Sequence, residues 1–162
     1  VSANLDVTST PLITEQEIIF GTADRGVFAL DKATLFNKWR AETLPSLVYT
    51  APYSTTPQAG VETSPVASQG VIYIGTSDGY LYAIDRTTGI IKDKYNLGAP
   101  IFSTVAVSGN RMIVCDFAGN LSCFISKKTY SSLSKCINPI GRRCFDFRDS
   151  VFSLSANSDK AR

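Results

Sequence analysis

The chain has 162 residues and no histidine. That absence excludes Ser-His-Asp and Cys-His catalysis, histidine-ligated zinc and histidine general bases within it. Any chemistry must rest on carboxylates, lysine, tyrosine or a borrowed cofactor. A run of about 18 apolar residues is also lacking, so no segment reads as a membrane-spanning helix. Charge of one sign is scarce: the net charge is +2, too little to predict a nucleic-acid partner, and none is expected. The N-terminal "VSANLDVTST" lacks the basic and apolar regions of a signal peptide, as a processed secreted chain also would. What is present is a globular composition, 44% hydrophobic and 19% charged, enough for one domain with a core.

From Val7 to Phe124 apolar and polar residues alternate with a period of two, and β-branched and aromatic residues dominate. Three copies of one unit register without internal gaps at offsets of 54 and 40 residues. Their first strands are expected at 7–13, 61–67 and 101–107. The second strands end in "IIFGT", "IYIGT" and "MIVCD", the turns are "ADRG", "SDGY" and "FAGN", and the third strands are "VFALD", "LYAID" and "LSCFI". The extra 14 residues between the first two copies fall in one loop, 44–60, which is how a repeat varies without disturbing its core. A fourth strand is expected in each unit, starting at Trp39 and at the equivalent Asp93 and Leu133. Asp78-Gly79 fits a tight two-residue hairpin turn, with Asp24 and Gly119 as turn residues of the other copies. In the first copy glycine comes one place later, at Gly26, which predicts a looser turn. The fold class is therefore all-β: β-propeller blades of four antiparallel strands, three repeats (about 7–60, 61–100 and 101–134) and an irregular tail at 135–162. In that tail "RDSVFSLSA" reads as the possible start of a fourth blade. A plain antiparallel sandwich is the alternative.

"VIYIGTSDGYLYAIDRTTG" (71–89) and "APIFSTVAVSGNRMIVCDFAGNLSCF" (99–124) resemble the repeats of PQQ-like propellers. That family includes quinoprotein dehydrogenases and the β-barrel assembly lipoprotein of Gram-negative bacteria. Its pattern sets an apolar strand and Gly-Ser/Thr before Asp-Gly, then Leu-Tyr-Ala-Leu-Asp and Thr-Gly, with tryptophan four residues on. The second copy has Asp93 where the tryptophan is usual, and the first keeps Trp39. The resemblance implies that Trp39 packs one blade against the next. The dehydrogenases of the family carry a vicinal Cys-Cys pair, a tryptophan floor under the quinone and carboxylate-bound calcium. The chain has no Cys-Cys pair, so no cofactor and no metal are expected, and the balance leans against an enzyme.

Three units and a tail do not close a ring of four to eight blades. The chain is expected to be part of a larger protein, or to self-associate and complete the ring. The second-to-third-strand turns and the connections between blades share one face of such a module. Tyr49, Tyr53 and Tyr80 with Arg25, Arg142 and Arg143 form a candidate binding rim there. Cys115 and Cys123 replace Gly75 and Ala83 of the preceding copy and are expected to be buried thiols. Cys136 and Cys144 flank a Pro- and Gly-bearing loop and form a candidate disulfide, which implies an oxidising compartment. The function these features support is a non-catalytic scaffold that binds a protein partner in the periplasm or outside the cell. The alternatives are a fragment of a divergent quinoprotein dehydrogenase, a hydrolase appendage, or a polysaccharide-binding module.

Overall fold

The structure, a computed structural model, describes residues 7–48, 58–126 and 143–147, with Ser126 and 143–147 described by backbone alone. Among the described residues every regular element is a strand. The first sheet contains β1 (Leu12–Ile13), β2 (Glu17–Thr22), β3 (Gly26–Asp31) and β4 (Asn37–Ala41) in sequential antiparallel order. The second repeats it with β5 (Val66–Ser68), β6 (Val71–Gly75), β7 (Tyr80–Asp85) and β8 (Ile91–Asn96). These are four-stranded blades, and even the register shift in the third strand recurs, at Ala29/Leu30 and Ala83/Ile84.

The first strands are shorter than the sequence pattern predicts. Pro11 and Pro65 have no N–H to give a ladder, so pairing starts one residue after each. Ahead of them a hydroxyl replaces the ladder. Ser9 Oγ accepts from Gly21 N (3.1 Å) and donates to Gly21 O, Thr63 Oγ1 donates to Gly75 O, and Ser103 Oγ bridges Cys115 in the same way. The fourth strands begin at Asn37 and Ile91, two residues before Trp39 and Asp93. Leu133 lies outside the described residues.

Alternation divides each blade's side chains between two interfaces. Ile72, Ile74, Tyr82 and Ile84 of the second blade pack with Ile19, Val27, Ala29 and Trp39 of the first. Its Val71, Leu81 and Ala83 pack with Ile101, Met112, Val114 and Phe124 of the third. Each interface is keyed in the same way. A Cβ on Gly21 would stand 2.5 Å from Val61 Cγ1, and one on Gly75 would stand 2.3 Å from Ile101 Cγ2. The glycine before each Thr76-like position therefore leaves the space that the next blade's β-branched residue fills.

The third sheet departs from the pattern. β9 (Ala106–Ser108), β10 (Arg111–Cys115) and β11 (Leu121–Ser126) are antiparallel, but the outer strand is β12 (Arg143–Phe147), paired parallel to β11. A local cause is visible. In the first two blades Asp31 and Asp85 cap the turn that leads to the outer strand. Each carboxylate accepts from two backbone N–H groups and a threonine hydroxyl, Thr34 or Thr88. The third copy has Ile125 and Lys128 at those positions, so the cap that folds the chain straight back is missing. The burial expected of two cysteines also fails: Cys115 is exposed and Cys123 half-buried. Their slots face away from the second blade, and among the described residues no further blade covers that side.

Candidate functional site

The hairpin tips and the inter-blade connections lie together at one end of the blades. In the second blade the tip is a three-residue loop, Ser77-Asp78-Gly79, rather than the two-residue turn expected. Thr76 and Tyr80 still pair, Gly79 N donates back to Thr76 O, and only Gly79 needs a positive φ (+84°). The first hairpin is no looser: Ala23-Asp24-Arg25 has the same length, with the positive φ moved to Gly26.

Asp78 organises this end. Its carboxylate is buried, and Oδ1 accepts from Tyr80 N (2.9 Å) and from Thr76 Oγ1. Oδ2 accepts from Tyr82 Oη (2.7 Å) and from Leu44 N (2.9 Å). Four donors satisfy a carboxylate for which no cation is placed among the described residues. Burial, reinforced by the neighbouring Asp78 carboxylate, pushes the Tyr82 hydroxyl far above its ordinary range, so it remains a donor. Through Leu44 the network reaches into the long connection and fixes its start.

The rest of the connection is pinned by backbone bonds. Leu47 N donates to Ser77 O, Ser46 N to Gln58 O, Gly26 N to Ala59 O and Val61 N to Thr22 O. Ser77 adds a hydroxyl bond to Gly60 O (2.7 Å). Both stems of the connection are thus held against the hairpins of the first two blades. What this arrangement leaves outward is apolar. Leu47 (59% exposed) rests beside Gly79 and Ala99, the adjacent Pro100 O accepts from Phe117 N, and Phe117 (72% exposed) meets Phe102 edge-on at 5.4 Å. A ridge of exposed Leu47, Phe117 and Phe102, with half-buried Ala99 and buried Pro100 among them, therefore crosses the tops of the second and third blades.

The rim residues named from the sequence fare differently. Arg25 is exposed at its hairpin tip, 3.5 Å from Asp24. Tyr80 starts β7, packs partly into the core and lies under Lys94 Nζ at 5.1 Å. Arg143 opens β12 opposite Ser122, at the hairpin end of the third blade. Tyr49, Tyr53, Arg142 and Cys136 lie outside the described residues. The sequence reading passed over the ridge. Its signal was Phe117, an aromatic at a hairpin tip where the other copies have Ala23 and Ser77.

The aspartates near the three hairpin tips, Asp24, Asp78 and Asp116, each have partners of their own. Asp24 pairs with Arg25, Asp78 has the donors above, and Asp116 closes its own hairpin through Asn120 N and Nδ2 (both 2.9 Å). Among the described residues no three acidic or cysteine side chains gather to hold a metal ion. Trp39 is buried at the first blade interface. Its ring lies against Gly89, where a Cβ would stand 2.6 Å away, and its Nε1 donates to Arg86 O (2.9 Å). A tryptophan so engaged cannot floor a quinone, so these residues do not fit the PQQ cofactor.

Stacked four-stranded blades with this repeat define a PQQ-like β-propeller module. The chain belongs to the family described as outer membrane protein assembly factor BamB, whose pattern matches residues 1–129. Among solved structures it is similar to BamB from Moraxella catarrhalis, at 19% identity and a TM-score of 0.59 over 74% of this chain and 35% of that one. The quinohemoprotein alcohol dehydrogenase ADHIIG from Pseudomonas putida HK5 is similar at 18% identity and 0.57, over 77% and 20%. A europium-containing methanol dehydrogenase follows at 18% and 0.53, over 74% and 23%. At these identities the likeness shows the fold alone, and the chain spans about a third or less of each structure's length. No curated protein matches it in sequence.

Proposed function

We propose that the chain is a β-propeller module without chemistry of its own, part of a larger protein, that binds a protein partner through its hairpin face. The observation that carries this reading is the exposed ridge of Leu47, Phe102 and Phe117 on pinned connections. An apolar surface held rigid in advance loses little entropy when a partner covers it. Arg25, exposed at the tip of the first hairpin, adds a charge to the same end of the blades. Membership of a family described as an assembly factor of outer membrane proteins supports protein binding over catalysis, and a periplasmic setting. The outer side of the third blade, with Ile113 and Cys115 exposed, is where a further blade of the same polypeptide or of a second copy packs.

Site-specific photo-crosslinking in envelope fractions of the source cells tests the reading. A crosslinker at Phe117 or Leu47 gives one discrete protein adduct, competed by unlabelled chain but not by the L47A/F117A variant. A crosslinker at Ile90, equally exposed at the other end of the blades, gives none. Equal adducts from all three positions, or none from Phe117 and Leu47, contradict it.

A further inference from the structure

The parallel strand β12 brings a second cysteine to the third blade. Cys144 is the register partner of Cys123 on β11. Directly opposed residues on neighbouring strands share a face, and the strands run about 4.8 Å apart. That spacing falls inside the roughly 4.4–6.8 Å Cα separation of disulfides. The other described cysteine is badly placed for either sulfur. Cys115 pairs with Leu121, so it is diagonal to Cys123, about 7–8 Å between Cα atoms. From Cys144 it is separated by the whole of β11, roughly 10 Å.

We propose that Cys123 and Cys144 form a disulfide that fastens the tail strand to the third blade. Two S–H bonds break and one S–S bond forms. The two electrons and two protons pass to a disulfide oxidant, such as oxidised glutathione, whose own S–S bond breaks to give two thiols. The bond serves where the fold most needs it. The third copy has Ile125 and Lys128 in place of the Asp/Thr cap that turns β3 into β4 and β7 into β8, and its outer strand comes from farther along the sequence. A covalent link removes loop-closure freedom from the unfolded chain.

The pairing differs from Cys136–Cys144, and the tryptic map separates the two. Cys115 and Cys123 fall in peptide 112–127, Cys136 in 136–142 and Cys144 in 144–148. The full chain is equilibrated with excess oxidised glutathione, its remaining thiols are alkylated, and it is digested without reduction. The expected dominant species is 112–127 joined to 144–148, with fragment spectra placing the link on Cys123. It persists in Cys115→Ser and is lost in Cys123→Ser. A dominant 136–142 to 144–148 species, a link assigned to Cys115, or Cys144 recovered almost wholly alkylated or glutathionylated overturns the proposal.

Discussion

Trp39 of the first blade reaches across to Gly89 and Arg86 of the second, while the same position of the second blade holds Asp93. The partner position changes with it: in the third copy Thr129 stands where Gly89 does in the second. Tryptophan and glycine are lost together, as two halves of one contact. The first interface also has a charged clasp that the second lacks. Buried Glu17 pairs with Lys38 Nζ at 3.0 Å and lies 3.7 Å from Arg86 Nε of the next blade, whereas Val71 and Arg111 occupy its equivalents. Common to both interfaces are the β-branched key in a glycine slot, Val61 on Gly21 and Ile101 on Gly75, and an apolar filling. The second interface adds an edge-on Tyr95–Phe124 contact at 5.3 Å. The keys thus set the stacking of blades, and the tryptophan clasp strengthens one joint.

The comparison can be broken from its strong side first. Trp39→Ala should cost about 3–5 kcal/mol in denaturant unfolding, the usual range for a buried large aromatic. Asp93→Ala, at the same repeat position, removes a local acceptor for Lys94 N and should cost about 1 kcal/mol. Next, Asp78→Ala leaves Tyr80 N and Tyr82 Oη without their acceptor and Leu44 N with only its longer bond to Tyr82 Oη (3.3 Å), and should cost about 3 kcal/mol. Asp116→Ala, which serves Asn120 only, should cost about 1 kcal/mol. Between those two losses, Gly89→Ala forces a Cβ into the Trp39 ring at a φ of +73° and should cost about 2 kcal/mol. Part of that loss should vanish in a Trp39→Ala background, and a double-mutant cycle reads the coupling.

Acidity gives a gentler probe. Burial pushes the Glu17 carboxyl up, but the Lys38 and Thr14 hydrogen bonds and the Lys38 and Arg86 charges outweigh it and hold the group below its ordinary 4.5. A depressed folded pKa stabilises the fold at pH above the ordinary value and loses that contribution as pH falls through the folded one. The melting temperature should therefore fall with acid below about 4.5, and Glu17→Gln should flatten that slope. Phe117→Ala should leave stability within about 0.5 kcal/mol, because its ring is largely exposed.

Much of the fold was legible because the repeat is local. The 54- and 40-residue offsets, the hairpin glycines and the alternating strands all arise from neighbours in sequence. The parallel β12 was not legible, since its pairing to β11 is long-range and leaves no periodic mark. Its cause was readable nonetheless in Ile125 and Lys128, which replace the Asp and Thr of the turn caps. Cys115 and Cys123 do stand on adjacent strands at the repeat positions of Gly75 and Ala83, but their burial depends on a blade beyond the third. At the site, Asp78 was read as a turn former, and its grip on Leu44, 34 residues away, was invisible to local pattern. Phe117 escaped notice because a single exposed aromatic has meaning only beside its neighbours, here Phe102 and Pro100.

Native-state hydrogen exchange, resolved strand by strand, tests the inequality of the two joints directly. Amides of β2, β3, β6 and β7 should share one high protection level, because the first two blades open together. Those of β10 and β11 should exchange through a separate, easier opening, with protection at least roughly tenfold lower. Equal protection across all three blades, or a first blade that opens before the third, would contradict the account.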